Sequence, residues 1–401
     1  MNKRIMAMRK MRNIALLMSF LLLFTQCNRR GTPIEKISED GVEVVLNHRE
    51  PYSLPGVPAA LTLKEVLSID TDKDEVLNTG MSTMESFCLD REGNIYFMMR
   101  QSPGNFIYKF DASGKFQISF GRKGQGPGEF EWGGDILVDE GNRILAKDMT
   151  KEKFVVFNKD GVLIDEVKIG KNISFVKYLG NKKFLTQWQE RDPVKPVYRN
   201  HYCISNDTLS ENQDFFRYEF DDTSRSPRYR PRGGSLIIGA SDMNIFIGPA
   251  AKDYEILVFD LSGKLLRKIR KAYVPVAFPE EDKAILKKAL GRSSSGQALL
   301  QKADFPAHLP PFRYLFTDDQ GRLYVMTNER EGERNYRYDI FSNEGAFIGR
   351  FLFDNVKMNY LQGQKWFDEP IDVVVKGDRL YSLREKDTGF KVLTVYKMTW
   401  N

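Results

Sequence analysis

The sequence predicts an all-β fold, a ring of six four-stranded antiparallel blades (a β-propeller) with a small helical insertion between blades 4 and 5. Three observations predict it. A strand–turn shorthand, D-x-x-G-N-I-Y followed by I-Y-K-F-D-x-x-G-K, recurs in six ordered copies spaced roughly 40 to 80 residues apart. Of the 401 residues 12% are aromatic, with Phe 28 and Tyr 17, residue types that favour strands. Helix signals are confined to one stretch of the mature chain, near residue 280.

The N-terminus stands apart from the ring. A basic head (Lys3, Arg4, Arg9, Lys10, Arg12) precedes a mostly apolar run from Ile14 to Phe24. At roughly eleven residues that run is too short to span a bilayer and has the form of a secretory signal peptide. Small residues of the A-x-A kind are missing, and Cys27 follows "LFTQ". This resembles a bacterial lipobox, although Gln26 stands where Gly, Ala or Ser is usual. The resemblance implies a signal peptide over 1–26, acylation of Cys27, a linker over 27–40 and a membrane-anchored lipoprotein. Asn28 in place of Asp implies the outer membrane, with the chain facing the periplasm. Removing residues 1–26 takes five basic residues from a formal charge of +6, leaving about +1. No bulk electrostatic argument for nucleic acid survives that subtraction. Cys88 and Cys203 remain; two cysteines in a chain this long are no disulfide framework, and both read as small buried apolar residues.

Blade 1 divides cleanly between residues 84 and 120. "MESFCLD", "IYFMMRQ", "FIYKFD" and "FQISF" are strand-like, and the turns "REGN", "SPGN" and "ASGK" separate them. The first half of the shorthand returns at 139–145, 179–185, 241–246, 318–324 and 376–381. Its second half returns at 154–162, 256–264 and 338–346, and is blurred at 202–209. The last copy, "VLTVYKMT" at 392–399, has no turn after it. A ring closes by borrowing a strand from the other terminus, which removes the open edge. "VEVVLN" (Val42–Asn47) and "LTLKEVLSI" (61–69) are the two candidates for that strand, within a propeller spanning 41–401.

"LDREGNIYF", "IYKFDASGKF", "FGRKGQGPGEF" and "FPAHLPPFRYLFTDDQGRLYV" together resemble the NHL-type, TolB-like six-bladed β-propeller lipoproteins of Gram-negative bacteria, whose function is unassigned. The resemblance covers about residues 40–401 and implies the fold. It implies no chemistry, because propellers host many functions.

One segment interrupts the β rhythm. "FPEEDKAILKKALG" (278–291) has Pro279 placed to open a helix, acidic residues in its first turn, basic ones later and Gly291 as a stop. "SGQALLQKAD" follows as a second short helix, so an insertion spans about 278–303.

Candidate site residues are few. "FGRKGQGPGEF" (120–130) has a phosphate-loop rhythm, but no Lys-Ser/Thr ends it and a strand follows in place of a helix. It reads as the passage from one blade to the next; a ligand loop using Arg122, Lys123 and Gln125 is the alternative. "RSPRYRPRGG" (225–234) clusters arginines, and Arg228, Tyr229, Arg230 and Arg232 are candidates for an anionic ligand or partner. Acids of the same chain, Asp221, Asp222 or those of the insertion, would make that cluster structural. Asp135, Asp242 and Asp372 could face a central channel as calcium ligands, but turn acids abound in this fold. Trp132, Trp188 and Trp366 read as packing residues, with sugar platforms the alternative. His48, His201 and His308 show no metal-ligand spacing, G-x-S-x-G is absent, and no motif implies a cofactor. The expected function is therefore non-enzymatic binding or scaffolding in the cell envelope, with a peptide, glycan or protein partner on a propeller face. A hydrolase or lyase in the central channel is the alternative.

Overall fold

The computed structural model describes residues 34–401 apart from 57, 59, 170–172, 210–211, 228, 231–235, 250–252 and 362–363. Residues 1–26 and Cys27 lie outside the described residues. The chain begins with β1 (Glu35–Glu39), β2 (Val42–Asn47), β3 (Leu61–Asp70) and a one-turn helix α1 (Asp74–Leu77). Blade 1 follows as β4 (Ser86–Leu89), β5 (Ile95–Met98), β6 (Asn105–Phe110) and β7 (Phe116–Arg122). Blade 2 is β8 (Gly133–Val138), β9 (Ile144–Asp148), β10 (Lys153–Phe157) and β11 (Leu163–Lys168). Blade 3 is β12 (Ile173–Gly180), β13 (Lys183–Arg191), β14 (Val197–Ser205) and β15 (Asn212–Asp221). Blade 4 is β16 (Leu236–Ala240), β17 (Asn244–Pro249), β18 (Glu255–Asp260) and β19 (Leu265–Lys271). The insertion then forms α2 (Glu280–Leu290) and α3 (Ser294–Gln301).

Blade 5 is β20 (Phe312–Thr317), β21 (Leu323–Glu331), β22 (Asn335–Phe341) and β23 (Phe347–Phe353). A separate hairpin, β24 (Val356–Leu361) and β25 (Gln364–Pro370), precedes blade 6. Blade 6 has only three strands of its own, β26 (Val373–Lys376), β27 (Arg379–Glu385) and β28 (Lys391–Trp400). Its fourth is β3, antiparallel to β28 from Trp400↔Leu61 to Val392↔Asp70. The ring is closed by the second of the two candidate segments.

The first candidate does something else. β2 adds in parallel to the outer strand of blade 4, from Arg267↔Glu43 to Lys271↔Asn47, and β1 pairs with β2 to make a six-stranded sheet. The sheet thus begins inside the stretch read as a linker over 27–40; "EKISE" has one apolar residue, Ile37, and gave no strand signal. Arg270 grips Glu39 with two bonds, 2.5 and 2.7 Å, and Glu255 at 2.6 Å, fixing this hairpin to the blade. Buried Asn47 then crosses to blade 5: its Nδ2 donates to Gly345 O at 3.0 Å and its Oδ1 accepts from Phe347 N at 2.7 Å. Residues 35–70 are therefore a belt around the outside of blades 4, 5 and 6.

Among the described residues six apolar clusters hold the ring, one in each seam. Leu323, Phe341 and Phe347 of blade 5 meet Phe246, Ile256 and Ile269 of blade 4, for example. Corresponding clusters join blades 1 and 2, 2 and 3, 3 and 4, 5 and 6, and 6 and 1. Alternating strand residues face the two neighbouring blades, so both faces of each blade read as apolar.

The recurring acids of the shorthand build turns. Asp90, Asp139 and Asp318 each accept backbone N–H bonds from the turn that follows: Asn94 N at 2.8 Å, Arg143 N at 2.9 Å and Arg322 N at 2.9 Å. Asp111, Asn158 and Asp260 do the same at the other hairpin, to Lys115, Val162 and Lys264. In an up-and-down blade these two turns share one face, called lower here. The opposite, upper face carries every connector from one blade to the next. It therefore holds the glycine-rich loop (123–132), the described residues of the arginine-rich loop (222–227 and 229–230), α2 and α3 (272–311), the β24–β25 hairpin and α1. Among the described residues no helix is long and apolar enough to cross a membrane.

Candidate functional site

The innermost strands β4, β8, β12, β16, β20 and β26 surround the central channel. Among the described residues three ionisable side chains converge on it: Asp135 of blade 2, Lys177 of blade 3 and Asp372, the residue before β26 of blade 6. In a ring of six, blades 3 and 6 are opposite each other, so Asp372 faces Lys177 across the channel. A register shift between Gly133 and Ile136 opens a bulge at Asp135. Gly133 is required there, because a Cβ would lie 2.0 Å from Met99 O. All three side chains keep surface open to solvent although the ring encloses them.

Enclosure shifts their titration. Burial pushes the carboxyls of Asp135 and Asp372 up, with Lys147 opposing the first and Lys177 the second. Burial also pulls the Lys177 ammonium down, against the attraction of Asp372. These groups feel one another through space, and no hydrogen bond to a described side chain fixes any of the three. Around them charges are already matched. Glu85 holds Lys391 at 3.2 Å and pairs with Arg100. Arg313 donates to Asp368 Oδ1 at 3.1 Å and stacks over Tyr336, tying the β24–β25 hairpin to blade 5. Tyr314 Oη accepts from Val373 N at 3.0 Å, beside Asp372. Of the three acids proposed for the channel, Asp135 and Asp372 are there. Asp242 sits in the lower-face turn between β16 and β17. Among the described residues no group of three or more His, Cys, Asp or Glu side chains could hold a metal ion.

The glycine-rich loop is an internally satisfied strut. Gly126 N donates to Glu129 Oε2 at 2.8 Å and Gly128 N to Glu166 Oε1 at 2.9 Å, so carboxylates already occupy two amides a phosphate would need. Arg122 bonds Glu129 at 2.6 Å, and Lys123 bridges to Phe130 through its backbone. Gly124, at φ 157°, leaves room for Glu129, whose Oε2 would be 2.0 Å from an added Cβ.

The arginine-rich loop lies on the upper face and is stitched to the insertion. Tyr229 N donates to Lys302 O at 2.8 Å, and Asp304 N to Tyr229 O at 2.7 Å. Arg230 meets Asp304 at 3.3 Å with both side chains exposed. Arg225 and Arg191 both bond Asp222 Oδ2 at 2.7 Å. Hydrogen bonds, first from Ser224 and then from the two guanidiniums, hold the Asp222 carboxyl well below the usual range. Arg228 and Arg232 lie outside the described residues.

A second polar group, unmarked in the sequence, lies within blade 3. Trp188 stacks on His201 of the neighbouring strand with ring centroids 3.8 Å apart and planes 12° apart, so it packs within the blade. Trp132 is 36% exposed, and the side chain of Trp366 lies outside the described residues. His201 Nδ1 lies 2.7 Å from Asp214 Oδ2, and the Cys203 thiol donates to Asp214 Oδ1 at 2.9 Å. Cys203 is buried as expected but acts as a donor; burial and the Asp214 charge push its thiol up to about 12, so it is no nucleophile. Cys88 and Cys203 are both free. For Asp214, burial pushes its carboxyl up, but bonds from Cys203, His201 and Arg217 win and bring it from 3.8 to about 2. That stabilisation is complete above the ordinary value and is lost as pH falls through about 2. Asp214→Asn is expected to lower the urea midpoint at pH 7, and the gap to the parent protein should close as the pH approaches 2.

Residues 66–226 match the DUF5128 family model, described as a 6-bladed beta-propeller. No curated protein sequence matches the chain. Among solved structures, a candidate exported protein of Bacteroides fragilis is 15% identical, with 88% of this chain and 99% of that one covered and a TM-score of 0.47. A DUF4221-family member from Bacteroides vulgatus is 12% identical over 85% and 99%, with a TM-score of 0.47. The PQQ-bound aldose sugar dehydrogenase of Streptomyces coelicolor is 10% identical over 86% and 100%, with a TM-score of 0.43. Likenesses at this level carry nothing about activity; the fold rests on the strand pairing and the family match.

Proposed function

We propose that this protein is a non-enzymatic binding module of the cell envelope, anchored through acylated Cys27, that takes a peptide, glycan or protein partner on its upper face. One observation carries the reading. Every long connector gathers on that face, around a channel mouth whose central charges have no hydrogen-bonded partner within the described chain. Loops on a rigid scaffold are where binding residues concentrate. Arg230 and the exposed acids of α2 give this face charge of both signs, so association should weaken as salt rises.

The test is capture of envelope peptides, glycans and proteins by the purified mature chain, with variants on either face. Arg230→Ala combined with Glu281→Ala should weaken a captured partner, and lower-face Asp242→Ala should not. The reverse pattern, or binding indifferent to both, would sink the proposal. A hydrolase or lyase in the channel is the second reading, favoured by the shifted titration of Asp135, Lys177 and Asp372. Turnover of a captured ligand that disappears in Lys177→Met would replace binding with catalysis.

A further inference from the structure

We infer that Asp135, Lys177 and Asp372 form a site for a small zwitterion carrying a primary ammonium and a carboxylate, the head group of an amino acid. This deepens the binding reading above and rests on it. Three features point to that class. First, the carboxylates and the ammonium approach from different blades, and no ion pair within 4 Å joins Lys177 to either acid. A ligand in the channel can therefore meet opposite charges on opposite walls. Second, the flanking charges are committed elsewhere: Glu85 to Lys391, Arg313 to Asp368 and Lys357 to Glu369. Asp135 also feels Lys147, buried on β9 beside its bulge, and Arg100, which Glu85 already pairs.

Third, the channel carries charge of both signs. A bare anion drawn to Lys177 meets two carboxylates, and a bare cation drawn to Asp135 and Asp372 meets the Lys177 ammonium. A neutral molecule with separated charges places its ammonium against Asp135 and Asp372 and its carboxylate against Lys177. Hydroxyls alone would leave all three charges unanswered. The enclosing ring strengthens such pairing, since water reaches the site only along the channel.

The probes are L-alanine, D-alanine, propionate, n-propylamine and glucose, titrated calorimetrically into the purified mature chain at low salt. Alanine of either hand should bind, with propionate, propylamine and glucose at least tenfold weaker. Lys177→Met and Asp372→Asn should each weaken alanine tenfold or more, with far-UV circular dichroism unchanged; both side chains face solvent in the channel. Alanyl-alanine and a longer peptide ending in alanine tell a free amino acid from the same groups on a chain. Equal binding of propionate, propylamine or glucose overturns the assignment, as does alanine binding that both variants retain. If no probe binds while partner capture by the upper face persists, this site falls and the binding-module reading stands. If partner capture fails and alanine still binds, the reverse holds.

Discussion

Removing residues 34–70 is expected to unfold the whole ring. β3 supplies the outer strand of blade 6, and without it β28 becomes a bare edge along its entire length. The same deletion takes Ile69 and Leu67 from the seam of blades 6 and 1, and Leu61 and Leu63 from that of blades 5 and 6. It also strips β2 from blade 4 and Asn47 from blade 5. Four of six blades are touched, so the loss cannot stay local in a closed ring. Thermal unfolding followed by circular dichroism should show no cooperative transition in the truncated chain. A melt like that of the parent would mean that the belt is an accessory.

A graded version isolates one link of the belt. Asn47→Ala leaves Phe347 N and Gly345 O without their partner in a buried place, and Arg270 O loses a bond of 3.1 Å. Stranding buried polar groups of this kind should cost about 2 kcal/mol, read as a lower urea midpoint at unchanged slope.

The blades were legible because each one repeats the same local solution. At six of the lower-face turns an Asp or Asn accepts the backbone N–H bonds, with Ser241 and Ser342 in that role at two more, and a glycine follows where φ is positive, as at Gly93 and Gly114. That chemistry leaves a mark at fixed spacing. α2 was legible for the same reason, since its acidic first turn and terminal glycine are local signals.

The belt was half legible. The need for a borrowed strand follows from the missing turn after β28, but β1 and β2 dock on blade 4 through pairing with residues more than 200 positions away. Nothing in "EKISEDGVEVVLN" records that. The channel site was less legible still. Asp135 and Asp372 could be suspected from their places at the starts of inner strands. Lys177 could not; it is one lysine in "SFVKYLG", and only closure of the ring sets it opposite Asp372. The arginine-rich loop drew notice by composition, yet Arg225 is held by buried Asp222 of the same chain, and Arg230 meets Asp304 in an exposed contact. Cluster composition reports charge and is silent on what answers it.

Asp339→Asn should be the most damaging single substitution outside the belt. Asp339, 1% exposed, accepts from Tyr254 Oη at 2.9 Å, pairs with Lys271 Nζ at 3.2 Å and meets Arg350 Nε at 3.3 Å. The Lys271 ammonium is sealed between the rings of Phe347 and Tyr254, 4.7 and 5.2 Å away. Arg350 continues the network to Glu50 of the belt at 3.0 Å. With the carboxylate gone, a buried ammonium remains whose one anionic partner among the described residues within 4 Å has been removed, a loss of about 3–5 kcal/mol. Adding Lys271→Met should recover much of it, because the methionine fills the same apolar slot and needs no counter-charge. Alkaline pH gives an independent check. Burial already pulls the Lys271 ammonium down, and Asp339 is the main force opposing that shift. Without Asp339 the folded state sheds the lysine proton at lower pH than the unfolded chain does, so stability rises with pH across that window. The deficit of Asp339→Asn should therefore shrink as the pH is raised from neutral towards the ordinary lysine range, as measured by urea unfolding. A deficit that stays constant, or one that Lys271→Met fails to relieve, would show that Asp339 acts through Tyr254 and Arg350 rather than through the lysine.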